Sequence, residues 1–379
     1  MKNGAVRRQI ALWMAGILLV AAGFVYVGGT GKAYADSPLT STGFYEAYKD
    51  IPGVEQAADG GLTKELAAYL SSADNPLDER AAAVNALYAS SNVWSDQNKT
   101  DTYAQLAYGK SEDELQTGGL RGDELFVLGY MKVLDHYFEP DMTLLTQARK
   151  ALPDSMTVAL VYALGMAQLN IECSWTYVEQ TLGDSTLKTD IRQTAIDIIT
   201  DYMVLYNGGA CTGSLPSAGE LVTADELRQE AVALLLGQSN GLVRGTNTVT
   251  DAADSTIVPY AVKGTTLVPL RFVSQALGAV VGYDSAAHQA TVSSETASLM
   301  FITGQKRYTV NGVSHTLATP VESRNGRVFV PLRAIAESLQ KQVFYDNGLI
   351  IITNHLKLDS ASAYDRQLVQ QIRSELEQR

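Results

Sequence analysis

The chain has few cysteines, few histidines and no excess of positive charge, and each shortage narrows what it can do. Its 379 residues hold two cysteines, Cys173 and Cys211, and four histidines, His136, His288, His315 and His355, scattered singly. Neither cysteine has a histidine near it in sequence, so a metal pair or an activated nucleophile has little support. Lys and Arg number 29 against 41 Asp and Glu, a net charge of −12. An acidic surface repels polyanions, so nucleic acid is not an expected partner. Catalytic signatures are also missing: there is no Gly-x-Ser-x-Gly elbow, no His-Glu-x-x-His, no Walker loop and no dinucleotide fingerprint. Acidic clusters such as Glu112-Asp113-Glu114 read as solvated helix faces. No catalytic, cofactor-binding or metal-binding residue is assigned, and no cofactor is expected.

One long apolar run is present, at the N-terminus. Lys2, Arg7 and Arg8 precede an almost unbroken apolar stretch from Ile10 to Val27, and Ala33-Tyr-Ala35 stands before Asp36. This is the layout of an export signal over residues 1–35, with small residues at the cleavage site. An uncleaved membrane anchor is the competing reading, because the run nears the roughly 20 residues that span a bilayer. Cleavage removes Lys2, Arg7, Arg8 and Lys32 and no acid, which takes the charge from −12 to −16. The mature chain then has no expected integral span and is secreted or associated with the cell surface.

Near the C-terminal end one segment is written twice. Leu267-Val-Pro-Leu-Arg-Phe-Val-Ser-Gln-Ala-Leu277, with Val281-Gly-Tyr-Asp284, returns as Phe329-Val-Pro-Leu-Arg-Ala-Ile-Ala-Glu-Ser-Leu339, with Val343-Phe-Tyr-Asp346. The copies align without a gap at an offset of 62, which marks one supersecondary unit used twice. Each reads as strand, short helix, strand: Val268 and Val330 favour strands, and Pro269 and Pro331 suit a helix start. Leu270, Val273 and Leu277, repeated as Leu332, Ile335 and Leu339, form an apolar stripe for packing on a sheet. Gly278 supplies a left-handed helix end in the first copy, whereas Gln340 specifies it less well in the second. Asn311-Gly312, Asn325-Gly326 and Asn347-Gly348 are hairpin signals. The expectation is an antiparallel sheet with two short helices on one face.

The paired Val-Pro-Leu-Arg motif, with its helix and Tyr-Asp, resembles the copper amine oxidase N-terminal domain, or stalk domain, from about Gly245 to Asn354. The resemblance implies a small α+β module that many exported bacterial proteins carry. It does not imply copper chemistry, since in the parent enzymes the copper and quinone belong to another domain and this chain has no His-x-His pair. Val268, Pro269, Leu270, Arg271, Tyr283 and Asp284, with Val330, Pro331, Leu332, Arg333, Tyr345 and Asp346, are the motif residues. A cation in the first helical turn opposes the helix dipole. Arg271 and Arg333 are therefore expected to bond Asp284 and Asp346 or strand-end carbonyls, with ligand binding as the alternative.

From residue 36 to about 240 the chain reads as short helices, among them Glu124 to Tyr137, Met142 to Ala151, Met156 to Leu169, Leu187 to Tyr206 and Thr223 to Leu236. Leu128-Gly129-Tyr130 and Leu164-Gly165-Met166, 36 residues apart, faintly resemble tetratricopeptide repeats. An irregular helical bundle fits equally well. Tyr103, Tyr108, Tyr130 and Tyr137 suit a ligand groove, but more readily a core. Cys173 and Cys211 read as a disulfide in an exported chain, with free buried thiols as the alternative. Residues 237–247 read as an exposed linker, and Tyr364, Leu368, Ile372 and Leu376 as the stripe of a docked terminal helix.

The fold class is thus multidomain: a signal peptide at 1–35, an all-α helical-hairpin domain at 36–240, the stalk-like α+β module at 241–355 and a C-terminal helix at 356–379. The expected function is that of an exported, non-enzymatic scaffold for an envelope protein or cell-wall component. The alternative is an envelope-directed hydrolase that the stalk module targets.

Overall fold

The computed structural model describes residues 37–89 and 98–378; the leader read at 1–35 lies outside them. The first part is helical: α1 (Pro52–Gly60), α2 (Lys64–Ser71), α3 (Leu77–Ala89), α4 (Lys99–Tyr108), α5 (Gly122–Asp135), α6 (Thr143–Ala151), α7 (Met156–Leu169), α8 (Ser174–Gly183), α9 (Gln193–Met203) and α10 (Ala224–Glu230). Thr63, Ser155 and Thr223 cap α2, α7 and α10, their hydroxyls accepting the N–H of Leu66, Val158 and Glu226. The central helices α3 and α7 are apolar nearly all round and buried along most of their length, as helices packed on every side must be. Tyr103 and Tyr130 are fully buried, which makes them core. Asp135 is buried as well and accepts from the Tyr88 hydroxyl (2.6 Å) and from the N–H and hydroxyl of Thr100 (2.8 and 2.6 Å), so one saturated carboxylate joins α3, α4 and α5.

Helices α5 and α6 form one hairpin and α7 and α8 the next. The Leu-Gly pairs are not equivalent within them. Helices α5 and α7 begin at 122 and 156, an offset of 34, so glycines 36 apart fall on different sides of their helices. A Cβ on Gly129 would sit 2.6 Å from the Leu145 nitrogen, whereas one on Gly165 would meet the Met142 sulfur at 2.6 Å. Two expected helices are also shorter than their apolar pattern. Lys188 is held in a bridge to the start of α7, its N–H donating to the Asp154 carbonyl at 2.6 Å, so α9 starts only at Gln193. The helix expected to reach Leu236 ends at Glu230, and the apolar Val232–Leu235 is a strand.

That strand, β1, opens the second part: β2 (Asn240–Val243), β3 (Thr246–Val249), β4 (Tyr260–Val262), β5 (Thr265–Pro269), α11 (Leu270–Ala276), β6 (Val280–Asp284), β7 (Gln289–Ser293), β8 (Ser298–Ile302), β9 (Arg307–Val310), β10 (Val313–Thr316), β11 (Glu322–Arg324), β12 (Arg327–Pro331), α12 (Leu332–Ser338), β13 (Gln342–Asp346) and β14 (Leu349–Thr353). The strands make three antiparallel sheets, not one: β13-β14-β1-β2-β3, β10-β9-β8-β7-β6 and β11-β12-β5-β4. Residues 237–247 are therefore two turns and a hairpin of the first sheet, not a linker.

The duplication explains the order. β1 to β7 with α11 form one unit and β8 to β14 with α12 the other, and each five-stranded sheet joins the end of one unit to the start of its mate. The turns repeat too. Arg244-Gly245 and Asn311-Gly312, like Lys263-Gly264 and Asn325-Gly326, all have positive φ at both positions, as two-residue hairpins require. Gln340 adopts φ 56 where Gly278 has φ 85, so both short helices end in the left-handed conformation whatever the residue. Inner faces of all three sheets share one core, including Val268, Leu270, Phe301, Val330, Ile350 and Ile352.

The two five-stranded sheets differ on their outer faces. Ala233, Leu235, Leu349 and Ile351 point away from the core and are still buried, where the terminal helix α13 (Ala363–Glu377) packs across β1 and β2. Helix α13 buries Tyr364, Leu368, Ile372 and Leu376 and also touches α7 and α10. The equivalent outward positions of β7 are Gln289, Thr291 and Ser293, half-buried or exposed. From Ser37 on, the helical lobe and the module form one compact unit. No helix among the described residues is long and apolar enough to cross a membrane.

Candidate functional site

Most motif residues belong to the fold. Val268, Leu270 and Val330 are at most 1% exposed, and Pro269, Pro331 and Leu332 are buried with them. Pro269 and Pro331 stand one residue before their helices, in extended backbone at the end of β5 and β12. Tyr283 and Tyr345 are 46% and 50% exposed.

The expected arginine–aspartate pairs do not form. Asp284 is spent on its own turn, accepting the N–H of Ala286 (2.8 Å) and Ala287 (3.1 Å). Asp346 instead takes Arg373 of α13, whose guanidinium also donates to the Asp346 carbonyl at 2.7 Å. Arg271 and Arg333 are exposed and make no hydrogen bond or ion pair among the described residues. Solvent repays the opposing helix dipole at such exposed positions, so no internal partner is required.

Arg271 lines a groove of about 670 Å³. One wall is α11, through Arg271, Phe272 and Gln275; another is β6, through Val281, Gly282 and Tyr283. The register sets Val281 opposite Val292 and Tyr283 opposite Ala290, both core residues, so the two side chains lie on the inner face of the sheet at the mouth of the core. A Cβ on Gly282 would approach the Thr291 hydroxyl to 2.7 Å on the outer face of the sheet, away from Val281 and Tyr283.

The third wall is the β3–β4 connection, residues 250–259, twice the length of its counterpart at 317–321. It is tied down at several points. Arg327 pairs with Asp251, the Asn325 amide donates to Thr256 at 2.9 Å, and Asp251 and Asp254 accept the N–H groups of Ala253 and Thr256. The Arg327 hydrogen bond, helped by that of Ala253, holds the Asp251 carboxyl below the usual aspartate range. Phe272 is the other asymmetry: its ring lies 3.2 Å from a Cβ built on Gly241, and the equivalent positions in the second unit are Ala334 and Tyr308.

The sequence reading found Arg271 and Tyr283 but missed Phe272, Gln275 and the Asp251–Arg327 wall. Alignment of the two copies holds the signal, in the five extra residues before β4 and the Phe-to-Ala difference inside an otherwise repeated helix.

Asp184 and Glu220, which line a 340 Å³ hollow in the helical lobe, are held low by hydrogen bonds from Thr186 and Ser217 respectively, not raised as a general acid needs. Cys173 and Cys211 are joined in a disulfide. Copper binding needs converging imidazole or thiolate donors. Among the described residues no three metal-ligating side chains converge, so the residues do not fit a copper site. A comparison with curated proteins finds no match. Residues 247–353 match the model of the copper amine oxidase N-terminal domain, the stalk-like module that the duplicated motif implies, and β1 and β2 complete its first sheet from outside the matched span.

Proposed function

We propose that the protein is an exported, non-enzymatic binding protein of the bacterial envelope or extracellular space, in which the helical lobe is a scaffold and the stalk-like module presents the recognition groove. The groove carries this reading. Its polar side chains are the Gln275 amide, the Asp251–Arg327 ion pair within the wall, the Arg271 guanidinium and the hydroxyls of Thr250, Tyr283 and Ser323. Such groups hold and orient a ligand, and the groove's lining has no histidine, lysine or unpaired carboxylate to turn one of its hydroxyls into a nucleophile. The disulfide suits an oxidising compartment, and the leader-like N-terminus suits export.

The test is fractionation followed by binding. The protein is expected outside the cytoplasm with Asp36 as its first residue, and the purified mature chain is expected to co-sediment with isolated envelope. Arg271→Gln combined with Tyr283→Ala should reduce that co-sedimentation at unchanged melting temperature. Release of soluble fragments from the envelope by the pure protein would establish the hydrolase instead.

A further inference from the structure

We propose that the Arg271 groove binds a short acidic glycan, with the carboxylate of one pyranose unit on Arg271 and a sugar ring against Tyr283 and Phe272. This rests on the reading of the groove as a recognition site and names its ligand class.

Four observations converge. The groove offers a guanidinium with no partner, and guanidinium recognises carboxylate in a planar, two-point geometry. Beside it stand two aromatic side chains, Phe272 and Tyr283, a platform for the apolar face of a pyranose. Around the rim, the Gln275 amide and the Asp251–Arg327 pair, the pair already held in place, present donors and acceptors for sugar hydroxyls. The volume of about 670 Å³ suits a ligand of two or three sugar units rather than one.

Charge narrows the class further. A single free cation answers a single carboxylate, while a net charge of −16 without the leader repels a densely charged polymer. The second unit supplies an internal control, because Arg333 has the same place in the motif without the long wall or the phenylalanine.

The experiment is calorimetry on the mature chain with an aldotriouronic acid, a trisaccharide bearing one carboxylate, with xylotriose as the neutral probe of similar size and with a sugar phosphate. Binding of the acidic trimer is expected, with Arg271→Gln weakening it about 10- to 100-fold and leaving the neutral trimer unchanged. Tyr283→Ala should weaken both trimers, and Arg333→Gln neither. Equal affinity for acidic and neutral trimers, equal loss in Arg333→Gln, or tighter binding of the sugar phosphate overturns the proposal. If no glycan binds while Arg271→Gln still lowers co-sedimentation with envelope, the ligand class falls and the recognition groove stands. If neither measurement responds to Arg271→Gln, both fall.

Discussion

Val268 and Val330, 62 residues apart in the chain, face each other across the centre of the four-stranded sheet, and both are fully buried. Leu267 pairs with Pro331 and Pro269 with Phe329, so exchanging the two copies of the motif returns the same register. The duplication thus meets itself at an internal two-fold. A truncation there opens a cavity at the point where both units join. Val268→Ala and Val330→Ala should each cost about 2 kcal/mol, from lost burial plus the void left behind. Because the side chains touch the same neighbours, the double variant should depart from the sum. Urea unfolding of the four proteins measures this, and strict additivity would mean that the two positions relax independently.

Helix α13 ties the module to the helical lobe. Arg373 donates to the Asp346 carbonyl at one end, Arg228 pairs with Glu375, and the Gln367 amide donates to the Pro140 carbonyl at 2.8 Å on the helical side. Truncation after Asp359 should therefore bare Ala233, Leu235, Leu349 and Ile351 together. The expected result is one cooperative melt for the full chain and either two transitions or aggregation for the truncated one, read by calorimetry and size exclusion. Arg373→Ala should reproduce part of the loss, about 1.5 to 3 kcal/mol for charge-assisted bonds to carbonyls. A truncated chain that melts like the parent would show the helix to be merely appended.

Local signals in the sequence were readable where short-range chemistry decides the structure. Helices Met156–Leu169 and Thr143–Ala151, the Asn-Gly hairpins and the stripe of α13 follow from caps, turns and apolar spacing. Long-range pairing was not readable. Val232–Leu235 has an apolar run that suits either helix or strand, and only its bonds to β14 and β2 select the strand. The same applies to residues 237–247, whose glycines and polar residues serve hairpin turns rather than a linker. At the groove, the motif pointed to Arg271 and Tyr283, but their surroundings come from β3, β11 and β12, which the chain brings together only in three dimensions.

Gly129 marks a close approach that can be tested by adding one methyl group. Its Cβ would meet the Leu145 nitrogen at 2.6 Å and the Leu144 carbonyl carbon at 2.9 Å, both backbone atoms that cannot swing aside. Gly129→Ala should force α5 and α6 apart and destabilise by roughly 1 to 3 kcal/mol, despite the higher helix propensity of alanine. Gly165→Ala meets the flexible end of Met142 and should cost less. Thermal melts rank the two. The reverse order would mean that the α5–α6 contact is looser than these distances imply.

The Asp251–Arg327 pair makes the groove wall sensitive to acid in a defined direction. Because the pair lowers the folded-state pKa of Asp251, its contribution is present above the unfolded value of about 3.9 and is lost as pH falls through the lower folded value. The melting-temperature gap between the parent and Asp251→Asn should be steady from pH 7 to pH 5 and close as the pH falls below about 4. A gap that holds through strong acid would mean that the aspartate acts by shape and not by charge.

The disulfide yields the largest expected effect. Cys173 is buried beside the start of α8, and Cys211 reaches it from the segment after α9, across a sequence separation of 38. Closing a loop of that length removes unfolded-state entropy worth about 4 kcal/mol in the chain-entropy model. Cys173→Ser with Cys211→Ser should lower stability by up to that amount, measured by urea unfolding under non-reducing conditions. Gly209 offers a second route to the same contact, since a Cβ there would lie 2.2 Å from the Glu172 carbonyl oxygen. Gly209→Ala should push the segment off Glu172 and slow disulfide formation, scored by thiol labelling during refolding. If the serine pair unfolds at the parental midpoint, the helical lobe holds residues 207–222 by packing alone and the bridge adds no stability.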